Sequence, residues 1–191
     1  GEVTFTTAGP ENTETPADVN TGIVIVGGGP AGLTAAYYLN IMGHSVTVYD
    51  MMDKMGGMLR YGIPQYRLPK EILDKEIELI TSLGVHVKNN VEIGKDISFD
   101  EIKDTYDAVI VSIGAWKSQG LRCKGEELKG VMGGIDFLRK VALKEEVDIG
   151  KSVAVVGGGN TAMDTARTLR RLGAEKVYLI YRRTKNEMPA E

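Results

Sequence analysis

Two stretches of this chain follow one plan, and that duplication limits the possible folds more than any other feature. Residues 23–50, IVIVGGGPAGLTAAYYLNIMGHSVTVYD, are echoed by residues 153–182, VAVVGGGNTAMDTARTLRRLGAEKVYLIYR. Each runs from an apolar β-branched segment through a glycine turn into an Ala-containing helical stretch, a second glycine and another apolar segment. Short, continuously apolar runs suit strands buried in a parallel sheet. One G-x-G-x-x-G is a weak signal. Two of them in full strand–turn–helix–strand context predict two dinucleotide sites on one polypeptide, and electron transfer between the two nucleotides.

In the first copy Gly27, Gly29 and Gly32 fall on the fingerprint spacing, with Gly28, Pro30 and Ala31 between them. Gly27 permits the tight turn, Gly29 lets backbone approach a pyrophosphate, and Gly32 allows the helix to lie close to the strand. Pro30 suits a first helical turn, where its missing N–H costs nothing. The helix is expected through about Asn40, stopping near Gly43. Its free N–H groups and positive dipole end face the diphosphate. The second strand, Ser45–Tyr49, ends at Asp50, which lies 23 residues beyond Gly27. That is close to the roughly 20 expected for the acid that binds ribose hydroxyls.

The second copy reads G-x-G-x-x-A, with Gly157, Gly158, Gly159, Asn160, Thr161 and Ala162. Its second strand, expected over Val177–Tyr181, runs into Arg182 and Arg183, and no acid stands where the ribose carboxylate belongs. A carboxylate would repel a 2′-phosphate, whereas a guanidinium binds one by charge-assisted hydrogen bonds. The second site therefore reads as NADP(H)-binding and the first as binding a nucleotide with a free ribose diol. The competing account of Arg182 and Arg183 is a solvated surface pair.

Between the copies, MMDKMGGMLRYGIPQYRLP is expected to be irregular, broken by Gly56-Gly57, Pro64 and Pro69, and loops of this length are usually functional. Lys70–Leu83 has the spacing of an amphipathic helix with Ile72, Leu73, Ile77, Ile80 and Leu83 on one face. Val85–Lys88 and Val91–Ile93 are expected as short extended pieces, Ala108–Ile113 as a buried strand ending at Gly114, and Gly133–Val141 as a helix. The domain reading is an arm or linker over 1–20, a first α/β Rossmann-like domain over 21–150, and the start of a second over 151–191. One β-α-β unit is too little to bury an independent core. The chain is therefore expected to continue past Glu191, with the open apolar edge covered by further polypeptide, a partner or a second copy.

At 42% hydrophobic and 26% charged residues the composition is that of an ordinary globular protein. A net charge of −3 gives no support for nucleic acid or membrane binding, and a cytoplasmic setting fits best. Cys123 is the only cysteine, so neither a C-x-x-C redox pair nor a cysteine-ligated Fe–S cluster can form within the chain. A disulfide reductase reading is remote on that ground.

The segments GGGPAGLTAAYYL, GGMLRYGIPQYRLP, YDAVIVSIGAWKS, LRCKGEELKGVMGGIDFLRKV and VAVVGGGNTAMDTARTLRRLGA, with YRRTKNEMPAE, resemble the NADPH-oxidising flavoprotein of glutamate synthase. This small (β) subunit family also takes in the matching domain of dihydropyrimidine dehydrogenase, sulfide dehydrogenase-like proteins and NADH-dependent ferredoxin–NADP oxidoreductases. The resemblance spans about residues 22–191. It implies FAD at Gly27–Gly32 and Asp50, and it adds Gly57, Met58, Arg67, Ile93 and Gly114 to the FAD contacts. It further implies NADPH at Gly157–Thr161, with Arg182 and Arg183 on the 2′-phosphate. A cation at Arg67 would stabilise a reduced, anionic flavin ring; the plainer accounts are a loop ion pair for Arg67 and core filling for Met58. No catalytic side chain is implied. Electrons would leave for Fe–S centres on another domain or a large subunit. Family members return to the FAD domain after the NADP domain, so residues 1–191 alone are expected to oxidise NADPH poorly. A non-catalytic nucleotide-binding module is the alternative from a different class.

Overall fold

The apolar β-branched runs become the strands of a parallel sheet in the computed structural model, which describes residues 22–190. The arm expected over 1–20 lies outside the described residues. Strands β1 (Gly22–Val26), β2 (Ser45–Tyr49), β3 (His86–Lys88) and β4 (Ala108–Val111) lie in the order β3-β2-β1-β4. Gly22 pairs with Ser45 and Val26 with Tyr49 across the central pair. The order of the strands reverses between β1 and β4. In open α/β sheets that switch point, at the carboxyl ends of the strands, is where ligands bind.

Helix α1 (Pro30–Ile41) begins on the proline and stops before Gly43, whose φ of +93° is one that glycine adopts without strain. It lays Leu33 and Ala36 on Ile25, Val46, Val48, Met55 and Val85 to make the main core. Each large aliphatic side chain removed from water here contributes about 1.5–3 kcal/mol. The opposite face of the sheet is covered by α4 (Phe99–Thr105), whose Ile102 packs with Val24 and Tyr49.

In the second unit β5 (Ser152–Val156) and β6 (Lys176–Ile180) form a separate two-stranded parallel sheet, with α6 (Asn160–Arg171) between them in sequence. Helix α5 (Gly134–Ala142) closes its core: Phe137 and Leu138 pack with Val155, Ala162, Leu169 and Ala174. Val156, Tyr178 and Ile180 remain exposed, as two strands and two helices cannot cover both faces. No helix among the described residues is long and apolar enough to cross a membrane.

Several expectations need correction. The stretch after Asp50 is not wholly irregular: α2 (Met58–Tyr61) forms one turn, because Gly57 takes φ +51° at its entry and the Lys70 ammonium donates to the Leu59 and Ile63 carbonyls. Helix α4 was not foreseen, although S-x-x-E over Ser98–Glu101 is a capping signal and the Ser98 hydroxyl does accept from the Glu101 N–H. The strand expected over 108–113 is shorter and is an edge strand, so Val111 and Ile113 are exposed. Val91–Ile93 contributes only an isolated bridge from Ile93 to Ile97. On α3 (Lys70–Ser82), Leu73 is buried and Ile77 and Ile80 touch the core, whereas Ile72 and Leu83 face solvent at the rim of the stripe.

Candidate functional site

The first glycine turn sits at the carboxyl end of β1, and each of its glycines meets a different neighbour. At Gly27 (φ +110°) and at Gly32 an added Cβ would overlap backbone, the Ser112 carbonyl in one case and the Gly27 carbonyl in the other. At Gly28 it would overlap Met55. At Gly29 it would find no protein atom nearer than 3.8 Å, and the φ of −78° suits any residue. Gly29 is thus a glycine that neither conformation nor internal packing requires. Asp50 stands beside it, buried at the end of β2. Its carboxylate accepts from the Gly28 N–H at 2.7 Å and from the Met52 N–H at 2.8 Å, which leaves acceptor capacity on both oxygens.

These residues open onto a cavity of about 210 Å³ lined by Gly27, Gly29, Pro30, Ala31, Asp50, Gly57, Met58, Ser112, Ile113, Gly114 and Trp116. Three of its lining residues, Ser112, Ile113 and Trp116, are not among the site residues expected from the sequence, and Ser112 and Trp116 shape the wall most directly. Ser112 donates its hydroxyl to the Gly27 carbonyl at 2.9 Å, tying β4 to the turn. Trp116 donates its indole N–H to the Ile113 carbonyl and packs against Tyr61. Both lie in the quoted YDAVIVSIGAWKS stretch, but nothing local signals their place on the wall.

The loop after Asp50 is drawn onto the turn. The Gly56 N–H donates to the Gly28 carbonyl at 2.7 Å, and a Cβ on Gly57 would come within 2.8 Å of Gly29 Cα. Beneath it Arg60 is buried, donating to the Met55 carbonyl and pairing with Asp74. The Tyr61 hydroxyl donates to Asp53 at 2.6 Å, and burial, reinforced by that carboxylate, pushes its pKa well above the ordinary tyrosine value.

Met58 also lines a larger crevice of about 460 Å³, together with Gly62, Ile63, Arg67, Leu68, Ile135, Leu138, Asn160, Thr161 and Asp164. The crevice runs between the two units, so Met58 faces both cavities. Arg67 crosses the gap: its guanidinium donates to the buried Asp164 carboxylate on α6 at 3.1 Å. Next to it the Tyr66 hydroxyl donates to the Asp164 carbonyl, and Arg171 lies over the Tyr66 ring at 3.8 Å. Asp164 went unnoticed in the sequence because its partner is 97 residues away.

The second glycine turn repeats the first. A Cβ at Gly159 would meet nothing within 4 Å, and its φ of −91° again suits any residue. Asn160 and Thr161 start α6 at the crevice, while Gly157, Gly158 and Gly159 lie outside its lining. Strand β6 ends at Ile180, one residue earlier than expected. The Gly157 N–H donates to the Ile180 carbonyl just as the Gly27 N–H donates to the Tyr49 carbonyl. That register puts Tyr181, not Arg182, in the place of Asp50. Arg182 and Arg183 follow it, exposed and without an ion pair among the described residues. Ile93 packs toward Tyr49 and Ile102 and lines neither cavity.

The fold and the paired glycine turns are those of a protein that binds two dinucleotides. The family model described as pyridine nucleotide-disulphide oxidoreductase matches residues 21–190, and the chain belongs to that family. It is 46% identical over 177 residues to the NADPH-Fe(3+) oxidoreductase subunit beta of Geobacter sulfurreducens, a match covering 90% of this chain and 26% of the relative. It is 39% identical over 177 residues to the glutamate synthase [NADPH] small chain of Azospirillum brasilense, covering 86% of this chain and 37% of that one. The chain thus spans well under half the length of these relatives. Among solved structures, Mycobacterium tuberculosis FprA in complex with NADPH superposes with a TM-score of 0.77 at 24% identity, over 89% of this chain and 45% of FprA. That last likeness concerns the fold. Taken with family membership and the two turns, the cofactors are FAD and NADPH. Cys123, exposed and unpaired, leaves the disulphide half of the family's description without a counterpart in this chain.

Proposed function

We propose that this chain carries the electron-input site of a larger flavoprotein oxidoreductase, in which NADPH reduces FAD and the electrons pass on to Fe–S centres of another domain or subunit. The observation that carries the reading is the pair of glycines, Gly29 and Gly159, that no internal contact requires. Each leaves an open approach to backbone at a helix N-terminus, which is what a dinucleotide diphosphate needs. The cofactors fit these residues. FAD would be held at its diphosphate by the Gly29–Gly32 turn and at its ribose by Asp50, with Gly57, Met58 and Gly114 along the cavity wall. NADPH would be held by Gly157–Thr161, with Arg182 and Arg183 on the 2′-phosphate.

Bound flavin supplies the hydride and electron chemistry, for which the chain has no suitable side chain of its own. The protein's part is to position and to tune charge. Asn160 and Thr161 bring the second turn to the same crevice as Met58, so two nucleotides can meet there. Arg67 places a guanidinium on that crevice, held by Asp164. A cation there favours added negative charge nearby. The finer reading is a glutamate synthase-like small subunit in the cytoplasm. The higher identity to an NADPH-Fe(3+) oxidoreductase subunit supports the same half-reaction with a different final acceptor.

The test is anaerobic mixing of the larger flavoprotein that contains residues 1–191, purified with flavin, with NADPH or NADH. NADPH is expected to bleach the flavin band much faster. Changing Arg182 and Arg183 together to Ala removes charge-assisted contacts worth about 1.5–3 kcal/mol each and should slow NADPH far more than NADH. Equal slowing of both would show that the arginines do not read the 2′-phosphate.

A further inference from the structure

We infer that Arg139, on helix α5 of the second unit, is a positioning residue for FAD, because it pins Trp116 as a wall of the first cavity. The inference rests on the reading of that cavity as the FAD site. Trp116 comes two residues after Gly114, in the loop that leaves β4. Its indole N–H donates back to the Ile113 carbonyl at 2.9 Å, which folds the ring over the end of the strand. Gly114 lies beneath it at φ +71°, where a Cβ would stand 3.7 Å from the indole nitrogen. Half-buried in this pose, Trp116 lines the cavity of about 210 Å³ with Gly29, Asp50 and Met58. The indole has only that one donor, so its hydrogen bond fixes one point of a large ring and not the ring's plane.

Contacts from two other elements supply the remaining constraint. The Tyr61 ring of α2 meets Trp116 with centroids 5.9 Å apart. The Arg139 guanidinium carbon lies 5.9 Å from the Trp116 ring centroid, within reach of a cation–π contact. Arg139 is itself aimed. It pairs at 3.2 Å with one oxygen of Asp136, a turn earlier on α5, and the other Asp136 oxygen accepts from the Ser118 hydroxyl at 2.9 Å. Residues 116 and 118 of the loop are thus met by residues 139 and 136 of the helix, through one shared ion pair. The backbone agrees. Gly133, at the entry to α5, has a φ of −64° that suits any residue, yet a Cβ there would overlap the Ser118 side chain. That glycine is required because the loop lies flush on the helix. An ordinary ion pair on a helix surface would involve neither the indole nor the serine, and would contribute little. The rest of α5 is fixed in the second unit, with Phe137 and Leu138 in its core and Ile135 and Leu138 on the larger crevice. The wall of the first cavity is therefore anchored to the second unit.

The experiment measures binding rather than turnover. The flavin-loaded larger protein that contains residues 1–191 is dialysed to equilibrium, and the FAD dissociation constant is read together with the melting temperature. Arg139→Met keeps the apolar stem and removes the cation. It should weaken FAD roughly threefold to tenfold, the scale of one partly buried cation–π contact, and melt within a few degrees of the parent. Arg139→Lys should restore part of the affinity. Trp116→Leu should weaken FAD at least as much, and Arg139→Met should add almost nothing in that background, because the ring it acts through is gone. An Arg139→Met protein that binds FAD like the parent overturns the inference. So does one that weakens FAD by the same factor with and without Trp116. If Arg139→Met does not fold, Arg139→Gln carries the same comparison. Gly29→Val tests the underlying reading: if it keeps its FAD, the cofactor does not lie in this cavity and the inference fails with that reading. Loss of FAD from Gly29→Val with full FAD in the Arg139 variants leaves the cavity to FAD and removes only the role given to Arg139.

Discussion

Gly29 and Gly32 look interchangeable as letters of one motif, yet their surroundings give them separate duties. At Gly32 a Cβ would overlap the Gly27 carbonyl oxygen, with the Ser112 hydroxyl also in the way. Gly32→Ala should therefore push α1 off β1 and cost on the order of 1–3 kcal/mol or more. At Gly29 the Cβ enters open space, so Gly29→Ala should melt within a few degrees of the parent while losing flavin. Thermal unfolding by circular dichroism and the flavin-to-protein absorbance ratio separate the two outcomes. A Gly29→Ala protein with full flavin would remove this turn from the FAD site. The spacing in the sequence marked both glycines; only the distances to their neighbours divided structure from function.

Among the elements, the one-turn helix α2 shows how a short segment becomes a wall. Four residues cannot hold a helix by themselves. This one is held at its end by Lys70, which donates to the Leu59 and Ile63 carbonyls at 2.7 Å each. It is held from the side by Tyr61, buried on Asp53 and Trp116. Burial and then the Asp53 carboxylate raise the Tyr61 pKa above its ordinary value of 10.0. A raised value in the folded state means that this stabilisation is complete below pH 10 and drains away as pH climbs from there, because the unfolded tyrosine ionises first. Stability measured from pH 8 to 11 should fall, and Tyr61→Phe should flatten that fall. An unchanged alkaline limb in the Phe variant would place the pH dependence elsewhere, for example at Tyr106, whose value is raised as well. Pro64, Pro69 and the glycine pair correctly suggested a broken segment. The turn within it was hidden because its stabilising donors come from other elements.

Across the whole molecule, the two units are joined by the Arg67–Asp164 pair and the Tyr66–Arg171 stack beside it. The pair is lopsided, with Arg67 one-third exposed and Asp164 buried. Removing the arginine strands a buried carboxylate, whose nearest remaining cation is Arg167 at 3.8 Å, whereas removing the aspartate leaves a cation that can turn to water. Arg67→Met should therefore cost about 3 kcal/mol and Asp164→Asn distinctly less, read from denaturant midpoints. The reverse order would mean that the clasp is not what holds the units together.

The sequence by itself determined the strand–turn–helix–strand units, the strand-order logic of a dinucleotide fold and the family, because each depends on residues close in the chain and on spacings that any reader can count. Hydrophobic period, glycine position and the acid after β2 are all local signals. Tertiary structure alone decided which strand became an edge, which glycines were left open for a ligand, and which carboxylate met Arg67. It also decided that Tyr181, not Arg182, stands where Asp50 stands. Each of these depends on atoms brought together from distant positions, where register and packing in three dimensions, rather than any local preference, set the neighbour.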